Sequence, residues 1–541
     1  MLAISNITTS NSTVEPPEHH VIPVNPALAP SGWASYLPSW GPSPGRTRPS
    51  VTNGKIAGFR NPWPSWHRPT LAEKYASFQW GEDNDGCAEL AASHLTNSPA
   101  LDRPPHKSKL PNFVDPKGWP NSLGAKAARL LRIEGPDFSF PEGSKAKATW
   151  LGHAGVLVQL PSLDPQNGRP VRCVFDPIFS DRCSPLGSFA GPIRSYPPPC
   201  KAEDLPAIDV VCISHNHFDH MDQTSLMSIW RHSRNSVRFF VPLGNKRLLL
   251  EWGIPDDRIT EMDWWDSVQL TLPSTPRSPD NARTLTIHCT PAQHNSFRGT
   301  NDANTTLWSS WLLESHTPHH QTTTDTTTTT TPTPYRVFFA GDTGYQFHPS
   351  PHWPPSPANP TPQPPSDSDS EFPPCPAFAQ IRARLGPPNL LLLPVSVGAT
   401  FAYLRSFVPL PDWLSPFPRH SAGVTGANHM PPWDAVRVVR VMAGMEAEAG
   451  GDGDGEEGRG EDGERGDGVV ALAMHWGTFV PDPADVLRTL GALEWACTQQ
   501  GVKFSRGLGE GRSVDGDASG AVLGKGRPVF VAVNHGGSVC L

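Results

Sequence analysis

A chain of 541 residues with 63 prolines, 47 glycines and 37% hydrophobic residues is too long for one plain domain and too poor in apolar side chains to be compact throughout. One large core diluted by disordered insertions fits that composition. A formal charge of −8 gives no overall footprint for nucleic acid, and nine scattered cysteines without a C-x-x-C pair argue against a disulfide framework or zinc ribbon and fit a reducing compartment.

Residues 1–58, rich in Pro, Ser and Thr, predict a disordered tail. No basic region followed by an apolar stretch opens it, so no secretory signal is expected. Residues 59–144 predict a loop-rich arm, and its stretch Phe59-Arg60-Asn61-Pro62-Trp63-Pro64-Ser65-Trp66 reads two ways. It packs on the domain surface, or it forms an amphiphilic patch that meets lipid. Residues 145–541 predict the main domain. Ala148–Leu151 and Val156–Leu160 read as strands, and His153 in the loop between them reads as a supporting or structural histidine. Strand Val171–Phe175 ends at Asp176-Pro177, either a plain turn or a carboxylate placed to orient a ligand imidazole.

The apolar run Ile208–Ile213 predicts a buried strand, followed by a helix over Gln223–His232, a strand over Val237–Val241, a helix over Asn245–Trp252 and a strand over Ile259–Met262. Strands over Leu285–Cys289 and Thr305–Leu313 come next. A Thr-rich insertion near 316–334 precedes a strand over Tyr335–Ala340, and a Pro/Ser-rich insertion spans roughly 348–374. A helix over Ala377–Leu385 and a strand over Leu390–Pro394 follow. Residues 401–427 are irregular. His429 opens a helix through Val441 with Pro in its first turn. An acidic, Gly-rich insertion at 447–468 leads to strand Val469–Met474 and a closing helix over Asp485–Gln499. No run is long enough to span a bilayer.

Chemistry concentrates at strand tips. Between Ile213 and His220 the chain reads H-x-H-x-D-H, with His215, His217, Asp219 and His220 emerging where a buried strand ends. Three imidazoles and a carboxylate in six positions form the N/O donor set that zinc prefers; a His-rich surface turn is the bland alternative. The same event recurs at Asp176, His294, Asp342 and His475. In strand–helix alternation such tips can gather at one end of the sheet.

This pattern resembles the metallo-β-lactamase superfamily, which implies an α/β (α+β) fold, an αββα sandwich with a dinuclear metal cleft, here carrying disordered insertions. The resemblance implies that His215, His217 and His294 hold one Zn2+. It implies that Asp219, His220 and His475 hold a second, and that Asp342 bridges both. Trp150-Leu151-Gly152-His153-Ala154, Asp176-Pro177-Ile178-Phe179-Ser180, Phe339-Ala340-Gly341-Asp342-Thr343-Gly344-Tyr345 and Met474-His475-Trp476-Gly477-Thr478-Phe479 are similar to one branch. That branch is the N-acyl-phosphatidylethanolamine-hydrolysing phospholipase D family, and the Asn61-Pro62-Trp63-Pro64 arm is similar too.

The resemblance implies a zinc phosphodiesterase that releases an N-acylethanolamine and leaves phosphatidate, with Asp219, His429 and Asp176 as catalytic candidates. Asp176 would support a ligand, and His429 would stand near the reacting phosphate. It also implies a homodimer. The cysteine usage predicts a cytoplasmic protein, and a bilayer substrate predicts peripheral contact with membranes, through the aromatics of the Trp63/Trp66 arm or of Phe401–Trp413. The chain departs from the family at Gly398-Ala399-Thr400-Phe401-Ala402-Tyr403 and at Asn295, where an aromatic is expected. Those positions concern the substrate, so a hydrolase of another substrate, such as a sugar-phosphate lactone, and a non-catalytic scaffold are the competing readings. A nuclease fits the acidic balance less well.

Overall fold

Alternation along the strands decides the layers. In a strand, successive side chains point to opposite faces. Val156, Val158, Cys212 and Phe240 join one core with Trp311, Leu313 and Phe339. Their sequence neighbours Leu157, Val211, Phe239 and Val241 join another with Leu226, Ile229 and Leu249. Strands buried on both faces read as continuous apolar runs, which is why the run 210–213 carries no polar residue.

The computed structural model describes residues 2–8, 21–23, 56–76, 86–95, 104–271, 283–316, 333–348, 371–395, 414, 426–445, 468–507 and 527–541, omitting 105, 115, 165–167, 186, 188, 190, 300 and 481. The strands begin with β1 (Ala3–Thr8), β2 (Val21–Pro23), β3 (Ile56–Phe59), β4 (Lys147–Gly152), β5 (Gly155–Leu160) and β6 (Val171–Phe175). They continue with β7 (Val210–Cys212), β8 (Arg238–Pro242), β9 (Ile259–Met262), β10 (Ser267–Thr271), β11 (Thr284–Thr290) and β12 (Ser310–His316). Last come β13 (Tyr335–Phe339), β14 (Leu390–Pro394), β15 (Val470–Met474), β16 (Lys503–Ser505), β17 (Val529–Val531) and β18 (Ser538–Cys540). The helices are α1 (Leu71–Ala76), α2 (Gly86–Ser93), α3 (Leu123–Leu130), α4 (Gln223–Ser233), α5 (Lys246–Glu251), α6 (Ala377–Leu385), α7 (Pro432–Ala443) and α8 (Pro483–Gln500).

Among the described residues the strands form a nine-stranded sheet, β1-β10-β11-β12-β13-β14-β15-β17-β16, and a seven-stranded sheet, β18-β4-β5-β6-β7-β8-β9, with β2 and β3 paired apart. Phe175 of the second stacks on Phe339 of the first, 4.6 Å between ring centres, so the sheets lie face to face. The outer face of the seven-stranded sheet is covered by α4 and α5. Phe338, pointing away from Phe339, meets Phe378 of α6 at 6.2 Å, which puts that helix on the opposite flank. Helix, sheet, sheet, helix is the αββα order expected. Caps stop and start the helices on cue: Asp222 accepts from Ser225 N at the head of α4, and Gly444 ends α7 in the left-handed region.

Four expectations need correction. Within the 1–58 tail, Ala3–Thr8 is an ordered edge strand, antiparallel to β10, with Leu2 buried beside it. Backbone pairing to an open sheet edge supplies order that composition does not reveal. The 59–144 arm contains α1, α2 and α3, and Gly491 of α8 lets the backbone of Cys87 in α2 approach to where a Cβ would clash. The strand placed over Thr305–Leu313 runs over Ser310–His316, because Thr305 N turns back to Asp302 O. Finally, α8 does not close the chain: β16, β17 and β18 follow, and β18 returns to pair with β4. None of the nine cysteines is in a disulfide. The segment 398–413 and most of the three insertions lie outside the described residues.

Candidate metal centre

The strand ends converge because neighbouring strands run parallel. β6 and β7 are parallel with Phe175 opposite Cys212, so Asp176 and Ile213 leave the sheet side by side. β13, β14 and β15 are parallel in the facing sheet and deliver Asp342 and His475 to the same edge. The two sheets are then stitched across that edge. His475 N donates to His153 O at 2.8 Å, Ser309 N to Ser214 O at 2.9 Å, and the Trp311 indole N–H to Ile213 O at 3.1 Å.

Two groups of four donors result, each with its ligand atoms within 4.8 Å of one another: His215, His217, His294 and Asp342, and His153, Asp219, His220 and His475. In the first, His217 Nδ1 lies 2.8 Å from His215 Nε2 and 3.4 Å from His294 Nε2. A ring nitrogen has one lone pair or one proton, so it cannot pair well with both. A cation satisfies all three at once, and Asp342 Oδ1, although close to His475 Nε2, makes no well-aligned hydrogen bond. The donors therefore fit a divalent metal centre. In the second group His220 Nε2 and His475 Nε2 are 3.2 Å apart. Asp342 touches both groups: its Oδ2 is 3.0 Å from His220 Nε2, 3.7 Å from His294 Nε2 and 4.0 Å from His215 Nε2, and its Oδ1 is 3.0 Å from His475 Nε2.

Electrostatics divide the rings. Burial drives His215 and His294 well below the ordinary imidazole range and His217 down to about 4, with neighbouring imidazoles adding to it for His215 and His294. Neutral rings keep their lone pairs available to a cation. Burial opposes charge on His220 and His475 too, but Asp342 and Asp219 overcome it, raising His220 well above the ordinary value and His475 to about 9. Burial likewise works against the charged forms of Asp219 and Asp342. The imidazoles of His220 and His153 for Asp219, and of His220, His475 and His429 for Asp342, hold both carboxyls well below their usual range.

The turns that carry this set are strained. His153, Asp176 and His475 have φ of 49°, 37° and 58°, a region that costs L side chains energy and clusters at functional sites. Gly341, just before Asp342, has φ of 61°, and a Cβ there would sit 2.6 Å from Ser214 Cβ. Gly341→Ala is therefore expected to lose about 1–2 kcal/mol from the backbone and about 1–3 kcal/mol from overpacking. It should also disturb Ser214, which binds Asp176 and His215. Urea denaturation with metal analysis of the refolded protein checks both effects; an unchanged midpoint would show that the turn has slack.

Every residue expected at the site lies here. Asp176 is fully buried and its Oδ2 accepts from His220 Nδ1 at 2.7 Å. His429 Nε2 is 3.1 Å from Asp342 Oδ2, and its ring lies over His475 with 5.6 Å between centres. His153 faces Asp219, with 2.9 Å from Nε2 to Oδ2, and stands with it in the second donor group. The roles of two residues escaped the sequence reading, which quoted Asn61 only as part of the arm. Arg298 donates to Asn216 O at 3.0 Å and Met221 O at 2.9 Å, bracketing the H-x-H-x-D-H turn, and lies 4.0 Å over the Phe218 ring. Asn61 bonds the backbone of His294 in both directions. The lipid-facing reading of the arm does not hold for Trp63, which is buried and stacks on Trp264 at 5.5 Å.

A family model described as a beta-lactamase superfamily domain matches residues 171–349, a span that contains Asp176 to Asp342 but neither His429 nor His475. An uncharacterized protein of Mycobacterium tuberculosis is 30% identical over 374 residues, 68% of this chain and 70% of that protein. A Caenorhabditis elegans protein named N-acyl-phosphatidylethanolamine-hydrolyzing phospholipase D 1 is 38% identical over 201 residues, 37% of this chain and 47% of its own length. A Saccharomyces cerevisiae protein named N-acyl-phosphatidylethanolamine-hydrolyzing phospholipase D, mitochondrial, is 30% identical over 296 residues, 54% of each chain. This chain thus spans about half the length of the two named phospholipases.

Proposed function

The chain belongs to the metallo-β-lactamase superfamily, as a metal-dependent hydrolase, and from that premise we propose that it is a zinc phosphodiesterase cleaving N-acylated ethanolamine phospholipids. The products are an N-acylethanolamine and a phosphatidate. The observation that carries the chemistry is Asp342, one carboxylate in contact with imidazoles of both donor groups. Such a bridge suits two cations side by side. A pair of them would polarise a phosphoryl oxygen and acidify water enough to act as nucleophile near neutral pH, the arrangement favoured for in-line displacement at phosphorus. The names of the two phospholipase relatives support the choice of substrate.

His215, His217 and His294 would hold one Zn2+, Asp219, His220 and His475 would hold the other, and Asp342 would serve both. His153 fixes the Asp219 carboxylate, and Asp176 fixes His220. Water adds to phosphorus as the bond to the N-acylethanolamine oxygen breaks. That oxygen takes up a proton, and the phosphate stays with the diacylglycerol. His429 stands over Asp342, partly open to solvent, where it contacts the phosphate and delivers that proton. Phe297, 44% exposed with its ring 4.4 Å from that of His217, offers an apolar wall for an acyl chain. The enzyme reaches its lipid peripherally from the cytoplasm; among the described residues no helix is long and apolar enough to cross a membrane.

Purified, metal-analysed protein incubated with a mixed phospholipid extract should release N-acylethanolamine by mass spectrometry, and Asp219→Ala should not. Opening of a sugar-phosphate lactone without lipid cleavage would reassign the substrate. Undiminished hydrolysis after exhaustive chelation would end the metal reading.

A further inference from the structure

We infer that Asn61, in the N-terminal arm, is a positioning residue of the metal centre, and that the arm is its rear wall. The inference deepens the reading of this cluster as a metal centre and does not depend on the lipid substrate. Asn61 lies far outside residues 171–349, yet it clamps the main chain of His294. Its Nδ2 donates to His294 O at 2.7 Å, and its Oδ1 accepts from His294 N at 3.1 Å. One planar amide thus completes both backbone bonds that β11 no longer supplies once its ladder ends at Thr290. The orientation of the His294 ring follows from that backbone, and His294 Nδ1 is fixed in turn by Asn428 O at 3.1 Å.

The next contact tightens the same wall. Ser65 Oγ donates to Gln293 Oε1. Gln293 is fully buried and is bonded on its other sides too. Its N donates to Thr343 Oγ1 at 3.1 Å, its O accepts from Gly344 N at 2.8 Å, and its Nε2 donates to Ala427 O at 2.8 Å. Those partners belong to the segments that carry Asp342 and His429. Through two side chains the arm therefore braces three segments of the centre. Its own seat is close: Phe59 N donates to Asn304 O at 2.7 Å, and a Cβ on Gly58 would lie 2.7 Å from that same oxygen.

The test is a Co2+ titration of the metal-free full chain, followed by visible absorption. Asn61→Ala is expected to weaken one of the bound ions about tenfold, the lower end of what residues behind a ligand cost, and to alter its absorption band. Far-ultraviolet circular dichroism should not change. Asn61→Asp keeps an oxygen facing His294 N–H and should recover part of the affinity. Ser65→Ala should weaken binding about fivefold, the equivalent of one neutral hydrogen bond, and keeps the idea falsifiable if Asn61→Ala does not fold. Variants that bind Co2+ with wild-type affinity and spectrum, even with lowered melting temperatures, would overturn the role of the arm. A wild-type chain that binds no Co2+ would overturn the centre and the role together.

Discussion

Asp342→Asn is expected to leave the chain folded and to reduce hydrolysis by more than about a hundredfold, beyond the upper end of what partners one layer out from a metal cost. The substitution keeps the shape of the side chain. It removes the negative charge and one of the two oxygens that face His220, His475, His294 and His215. An amide nitrogen in that place would turn a donor toward imidazole nitrogens that must offer lone pairs. In the metal-free protein the charge has a second effect: Asp342 is the foremost group raising both His220 and His475 against burial. With Asn, both rings lose that support and give up their protons more readily, but the one anionic ligand common to both donor groups is gone, so metal content should fall from two ions to one at most. Atomic absorption on the purified variant measures the loss directly, and hydrolysis of phospholipid measures its consequence. Two tightly held ions in Asp342→Asn would mean that the two donor groups do not share this residue.

What was legible in the sequence, and what was not, follows from how far each interaction reaches. The H-x-H-x-D-H turn could be read because a both-faces-buried strand leaves an uninterrupted apolar run, and polar residues at its end stand out. Asp342 and His475 could be read for the same reason, each at the tip of such a run, while His294 follows a strand, Thr284–Thr290, that alternates apolar and polar residues. The helix over Pro432–Ala443 carried its signal in the sequence, a Pro in its first turn, although it starts three residues after His429. The Asn61 clamp could not be read, because its partner is 233 positions away and neither residue type signals the other. Trp63 was ambiguous because an indole among prolines suits a lipid interface and a stacking partner equally, and only the position of Trp264 decides. Arg298 was missed because its partners are carbonyl oxygens, which every residue has. Strand Ala3–Thr8 was missed because an edge strand needs no apolar alternation when its backbone does the binding.

Asp176→Asn should cost about 10- to 100-fold in metal affinity and in turnover, although Asp176 belongs to neither group of four donors. Its Oδ2 accepts from His220 Nδ1 at 2.7 Å and from Ser214 Oγ at 2.5 Å, and its Oδ1 accepts from Ser214 N at 2.7 Å. The carboxylate thereby keeps the His220 proton on Nδ1 and leaves Nε2 free on the side of His475 and Asp342. An Asn can keep an oxygen for Ser214 N, but its NH2 then meets two donors. The cheapest relief is to move the His220 proton to Nε2, which removes that nitrogen from any cation. Ser214 passes the disturbance on, since its Oγ also lies 2.8 Å from His215 Nδ1. Ser214→Ala separates the two routes: it spares the Asp176–His220 contact and should cost less than Asp176→Asn. The measurement is competitive Zn2+ titration of both variants beside the wild type. Equal losses would place the main effect at Ser214 and His215, and no loss in Asp176→Asn would show that His220 keeps its tautomer without the carboxylate.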